Sequence, residues 1–266
     1  MHRTIIPLLS IYNHFHLLKG FVSRDIKGRF AASFGGLIWT ILSPLATIIA
    51  YFFIFSIILR ISITPEETGT GRFSIFFLCG FFPWNLLADS LSKAVGVLVA
   101  EASIITKVVF PVELLPVSIV ISTLVVNSIG FFIFLVYLSF AGYMHLYWLL
   151  IPVALMLEAF FIMGIAFFVS ALCVFFRDIG ELLGIIILLW FFGTPVIYPS
   201  SMAPSRLEWF YDLNPMVAYV GFIRKVILQH TFDHQSFLIM CICAMISYML
   251  GTWFFMRSKG AFGDVL

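Results

Sequence analysis

LLPVSIVISTLVVNSIGFFIFLVYLSF, residues 114–140, decides the fold. No Asp, Glu, Lys or Arg interrupts it. A helix of about 20 apolar residues crosses the hydrocarbon core of a bilayer, and this run is longer than that. Working outward, the same reading gives spans at about 36–59, 73–91, 146–174, 182–198 and 236–256. The whole chain of 266 residues is 62% hydrophobic and 11% charged, whereas soluble domains average about 45–50% and about 25%. So much apolar surface cannot be hidden in a water-soluble fold, and disorder is excluded on the same ground. The expected fold is an all-α integral membrane protein with six transmembrane helices; no separate soluble catalytic domain fits.

The polar minority then becomes the informative part. Residues 1–35 carry Arg3, Lys19, Arg24, Lys27 and Arg29 against one acid, Asp25. Ile11, Phe15, Leu18, Val22, Ile26 and Phe30 recur at helical spacing. Arg24 and Lys27 fall opposite this stripe and Arg29 does not. The stretch reads as an amphipathic helix lying in the membrane interface, with a soluble N-terminal helix as the alternative. Its apolar run at residues 5–9 is too short for a signal peptide.

Six spans put both termini on one side. Arg3, Lys19, Arg24, Lys27, Arg29, Lys93, Lys107, Arg177, Arg257 and Lys259 fall on that side. Arg60, Arg72, Arg206, Arg224 and Lys225 fall on the other. The excess places both termini in the cytoplasm. Residues 199–228 read as a re-entrant pair of short helices, because Arg224 and Lys225 sit inside an apolar run of 213–228. Two adjacent charges, each costing about 2.5–3.5 kcal/mol at a helix centre, oppose a seventh crossing. The remaining tail is 258–266.

Little in the chain can perform bond chemistry. Asp89 and Lys93 are spaced to pair along one helix face, and Glu158 stands alone in an apolar span. Each reads either as a functional group or as a structural one. The four Cys lack metal-ligand spacing, the His are scattered, and no Walker motif is present. A net charge of +2 implies no nucleic-acid surface. The chain is therefore expected not to be an enzyme, to hold no metal and to bind no cofactor. A membrane-embedded glycan- or lipid-modifying enzyme and a stand-alone channel or carrier are the readings from other classes. The segment 92–116, with Leu98, Ala102 and Ile105 on one face, reads as an amphipathic lever between two spans, or as a helix resting on lipid.

Several stretches carry a resemblance in order and spacing: RDIKGRFAASFGGLIWTILSP (24–44), GFFPWNLLADSL (80–91), TKVVFPVELLP (106–116), FFRDIGELL (175–183), TPVIYP (194–199) and LNPM (213–216). Together they resemble the permease subunits of type II ABC exporters, in the polysaccharide branch that includes O-antigen, capsule and teichoic acid export permeases. The resemblance covers nearly the whole chain. It implies a homodimer in the bacterial inner membrane, served by two copies of a separate ATPase that alone binds ATP and Mg. The substrate implied is a lipid-linked (undecaprenyl) polysaccharide.

By the same resemblance, Ala100, Glu101, Ala102, Ser103, Ile104, Ile105 and Lys107 form the coupling helix. Arg177 and Asp178 make a second cytoplasmic contact. Pro199, Asn214 and Pro215 belong to an outer gate. Aromatic faces suit a sliding sugar polymer, so Tyr51, Phe55, Phe192 and Tyr198 are candidate channel rings. Trp84, Trp148 and Trp209 read as interface-belt residues.

Overall fold

The computed structural model describes residues 13–29, 36–59, 63–107, 110–199, 206 and 208–266. The helices are α1 (Phe15–Gly28), α2 (Trp39–Phe52), α3 (Phe73–Ala94), α4 (Val97–Ala100), α5 (Ala102–Lys107), α6 (Leu114–Phe140), α7 (Ile151–Phe175), α8 (Ile179–Phe192), α9 (Glu208–Leu213), α10 (Pro215–Arg224) and α11 (His234–Ser258). A wider π-turn, Phe53–Ile58, extends α2. The described residues form no strand. Among the described residues, five helical stretches are long and apolar enough to cross a membrane: Trp39–Ile58, Phe73–Ala94, Leu114–Phe140, Leu146–Phe175 and His234–Val265. The protein is an all-helical integral membrane protein.

The expected span at 182–198 takes a different form. α8 has 14 residues, which rise only about 21 Å against a core of about 30 Å. The chain then leaves the helix at Gly193–Thr194–Pro195, because Pro195 has no N–H to continue the ladder.

α3 is the centre of the bundle. Ile75, Cys79, Leu86, Leu87 and Leu91 lie on several of its faces and are fully buried, as expected of a helix apolar all round. α2, α6, α7, α8 and α10 pack around it. α11 lies along α7, where Gly164 and Gly251 let the two backbones meet. Small residues serve this purpose in membranes, where close packing replaces the hydrophobic drive between helices.

A second apolar cluster closes one end, and Leu18 of α1, Leu98 of α4, Leu114, Phe167, Phe255 and Phe262 meet there. The 258–266 stretch is folded: Lys259–Ala261 and Phe262–Val265 turn back beneath α5 and α7. Lys259 Nζ donates to the buried Glu113 carboxylate at 2.7 Å.

Candidate functional site: a polar groove on α3

The groove begins where α1 meets the bundle. α1 buries Leu18 and packs Phe21 against Phe110, while Phe15 is exposed. The stripe drawn from spacing is thus only partly the buried face, and Ile11 and Phe30 lie outside the described residues. Arg29 departs from the polar face for a reason the sequence hid: its side chain is 12% exposed and points into the bundle. Its Nε donates to Asp25 Oδ2 at 3.1 Å, Nη1 to Asp89 Oδ2 at 3.2 Å and Nη2 to Thr123 Oγ1 at 2.9 Å. Ser122 Oγ donates to Asp25 at 2.6 Å, and Lys93 Nζ lies 2.6 Å from Asp89. One planar guanidinium therefore ties α1 to α3 and α6, which a point-charge ammonium cannot do.

Arg29, Asp89 and Lys93 floor a cavity of about 560 Å³ between α2, α3 and α6. Its wall continues with Asn85, whose amide donates to Asn127 at 3.2 Å, and with Thr40, Ser43 and Thr47 of α2. Thr40 Oγ1 is buried and has no hydrogen-bond partner among the described residues. Phe81 and Asn85 also line a second cavity of about 370 Å³ between α3 and α8, bounded by Gly184 and Phe191. The groove therefore runs across the face of α3 that looks between α2 and α8.

An aromatic ladder adjoins the groove at Phe81. Tyr51 and Phe55 of α2 are half-buried and stack 6.0 Å apart. Tyr51 lies 4.7 Å from Phe77 and 5.0 Å from Phe81, and Phe55 lies 4.9 Å from Phe73. The other two candidate rings sit past the end of α8. Phe192 is exposed, while Tyr198 donates to the Phe192 carbonyl at 2.9 Å and shares a hydroxyl contact with Tyr211. They are not joined to the Tyr51 ladder by any ring contact among the described residues. Trp84 corrects an expectation: it is buried, edge-on to Trp190 at 6.0 Å, and is no belt residue. Trp209 is exposed.

The lever segment is two short helices rather than one. Glu101 breaks it, with φ −101° and ψ 19°. Leu98 is fully buried, Ile105 packs beside it, and Ala100, Ser103 and Lys107 are exposed. Glu101 pairs with Arg24 of α1, so the lever and α1 are linked directly. Lys27 is exposed, as are Arg177 and Asp178 on the turn between α7 and α8.

At the far end, Asn214 is buried and organises the break after α8. Its amide donates to the Gly193 carbonyl at 3.1 Å and to Thr194 Oγ1 at 3.0 Å. Its oxygen accepts from Trp190 Nε1 at 2.8 Å and, capping α10, from Met216 N–H at 3.1 Å. Pro215 starts α10, as proline does at a first helical position. Pro199 is buried.

Lys225 pairs with Asp233 at 2.6 Å. Burial alone would raise the Asp233 carboxyl, but the bonds from Lys225 and Ser236 outweigh it and pull the pKa down to about 2.

Sequence reasoning missed Arg224, whose three bonds to carbonyls no local spacing reveals, and the Asn85–Asn127 pair. Asn127, a lone amide in the longest apolar run, was the available signal.

The groove offers hydroxyls, amides, ring faces, the Asp89 carboxylate and the Arg29 and Lys93 cations. No cluster of three metal-ligating side chains occurs among the described residues.

The bundle thus holds a polar groove on α3 and two short helices, α4 and α5, at one end. The chain belongs to the ABC-2 type transporter family, whose model matches residues 16–228. Among its relatives are two O-antigen export system permease proteins RfbA from Klebsiella pneumoniae. They are 29% and 28% identical to it over 258 residues, 95% of each chain. The RfbA permease of Myxococcus xanthus is 28% identical over 228 residues, 83% of this chain and 84% of that one.

Proposed function

We propose that the protein is the membrane subunit of an ATP-driven exporter for a lipid-linked polysaccharide of the O-antigen class, in the bacterial inner membrane. It works as a homodimer with two copies of a separate ATPase, both termini being cytoplasmic and α8 with its return serving as the sixth span. ATP and Mg belong to the ATPase. α4 and α5, with Ala100 to Lys107, are the docking lever, and Arg177–Asp178 is a second contact.

One observation carries this reading. Arg29 and the Arg24–Glu101 pair join α1 and the lever to α3 and α6, the helices that line the groove. A push at the lever can therefore reach the groove wall through α1. The apolar outer faces of α2 and α8, such as Ile49, Ile57, Ile185 and Leu189, are exposed beside the groove. A second copy set against them would turn an open groove into a closed channel.

The test is complementation. The chain is produced with its ATPase partner in cells lacking their own exporter, and surface glycan is scored. Glu101→Lys reverses the charge facing Arg24, so it blocks surface glycan while membrane insertion stays normal. Normal glycan display by that variant would remove the lever assignment. A failure of the unaltered pair to export any lipid-linked glycan would remove the function.

A further inference from the structure

A cavity of about 110 Å³, separate from the groove, is lined in part by Glu67, Thr68, Phe76, Arg224, Lys225 and Gln229. Phe76 is in the first turn of α3, while Asp89 and Lys93 of the groove are near its end. Glu67 and Gln229 are exposed, whereas Thr68 and Arg224 are buried. The cavity therefore has a polar rim and ends on a guanidinium.

That guanidinium lacks a counter-charge. Arg224 is 8% exposed. Its Nη1 donates to the Pro195 carbonyl at 2.5 Å, Nη2 to Val196 at 2.7 Å and Nε to Phe76 at 3.2 Å. It also lies 3.6 Å over the Phe76 ring centroid. Carbonyls and a ring face are dipolar and carry no net charge. All thirteen Asp and Glu of the chain are among the described residues, and none forms a salt bridge with Arg224. Its neighbour Lys225, by contrast, is matched by Asp233 at 2.6 Å.

A buried charge is costly unless an opposite charge compensates it, and arginine does not shed its proton to escape that cost. The carbonyl bonds leave one N–H on each Nη nitrogen unspent. A cavity needs only about 10–15 Å³ to hold a water, so this one has room for a small ion and several waters.

We propose that the cavity binds a small inorganic anion of the chloride class, taken from the surrounding solution, as the counter-ion of Arg224. Glu67 at the rim opposes the ion by repulsion and so sets its affinity. The bound ion steadies the packing of α10 on α3, and the stability of the folded chain follows its concentration. The proposal is independent of which substrate is transported.

The experiment unfolds the whole chain by heat in detergent while chloride replaces gluconate at constant ionic strength. A ligand of the native state raises the unfolding temperature as its concentration grows. The wild-type protein should gain about 2–4 °C once chloride exceeds its half-saturating level about fivefold. Glu67→Gln removes the like charge and should lower that level several-fold. Arg224→Met removes the cation and should abolish the dependence on chloride.

Equal unfolding temperatures of the wild type in chloride and gluconate would overturn the site. So would a chloride gain in Arg224→Met as large as in the wild type, since the ion would then bind elsewhere. Should Arg224→Met fail to fold, Glu67→Gln decides, because its side chain is exposed and makes no salt bridge among the described residues. An unchanged half-saturating level in that variant would overturn the proposal.

Discussion

The seam between α7 and α11 yields a prediction whose sign is set by the structure. A Cβ added at Gly251 would lie 1.9 Å from the Gly164 carbonyl oxygen, and one at Gly164 would lie 2.2 Å from the Ser247 carbonyl carbon. Both obstacles are backbone, so no side chain can swing away. To reach ordinary contact near 3.4 Å, the helices must part by about 1.5 Å, against a dispersion well that such a gap largely forfeits. The same retreat breaks the bond from Ser247 Oγ to the Phe161 carbonyl, now 2.8 Å.

Alanine in a helix is intrinsically about 1 kcal/mol better than glycine. Overpacking of this kind costs about 1–3 kcal/mol, and the interhelical hydrogen bond is worth about 0.6 kcal/mol. Gly251→Ala is therefore expected to destabilise by about 1–2 kcal/mol overall. Gly20, inside α1, has nothing within 4 Å of an added Cβ. Gly20→Ala is the control of opposite sign and should stabilise by a few tenths of a kcal/mol to about 1 kcal/mol. The assay is thermal unfolding in detergent, read by the fraction that stays monodisperse. Export per folded molecule should be unchanged in Gly251→Ala, because this seam does not line the groove. A Gly251→Ala protein as stable as Gly20→Ala would refute the argument from close backbone approach.

Other outcomes follow from the groove and its ends. Arg29→Met should weaken the join of α1 to the bundle by about 1–3 kcal/mol, leaving ATP hydrolysis running while export falls; Arg29→Lys should not restore coupling, and restored export would show that charge alone suffices. Tyr51→Ala with Phe55→Ala should slow export several-fold, at about 0.5–1.5 kcal/mol per ring contact, with ATPase co-purification unchanged; unchanged flux would remove these rings from the path. Asp233 titrates at about 2 when folded against an ordinary 3.8, so its contribution is fully present above pH 3.8 and is lost as pH falls from there through 2. Asp233→Asn should flatten that window in an acid-unfolding curve, and an unaltered curve would assign the acid sensitivity elsewhere. Asp233→Ala also removes the cap on Gln235 and Ser236 N–H and should cost about 1 kcal/mol more.

Much of this was legible in the sequence because it depends on local sums. Crossing a membrane needs only a long enough apolar run, so residues 114–140 and four companions declared themselves, and Asp89 and Lys93 paired as their spacing required. α1 was legible as a helix but its buried face was not: Arg29 looked like a flaw in an amphipathic pattern, and it is the residue that fastens the helix to the bundle. Trp84 was misplaced for a related reason, since composition cannot tell a ring at the lipid boundary from one pressed against Trp190.

What the sequence by itself determined is the class: helices, a membrane and a family-like order of motifs. Hydrophobicity and helical period act over one turn to a few turns, and a reader of the chain can add them up. The tertiary structure alone decided which polar groups meet between helices. Arg29 joins Asp89 across 60 positions and Arg224 meets Phe76 across 148. Hydrogen bonds and ion pairs act over a few ångströms, so their partners exist only once packing has chosen which helices touch.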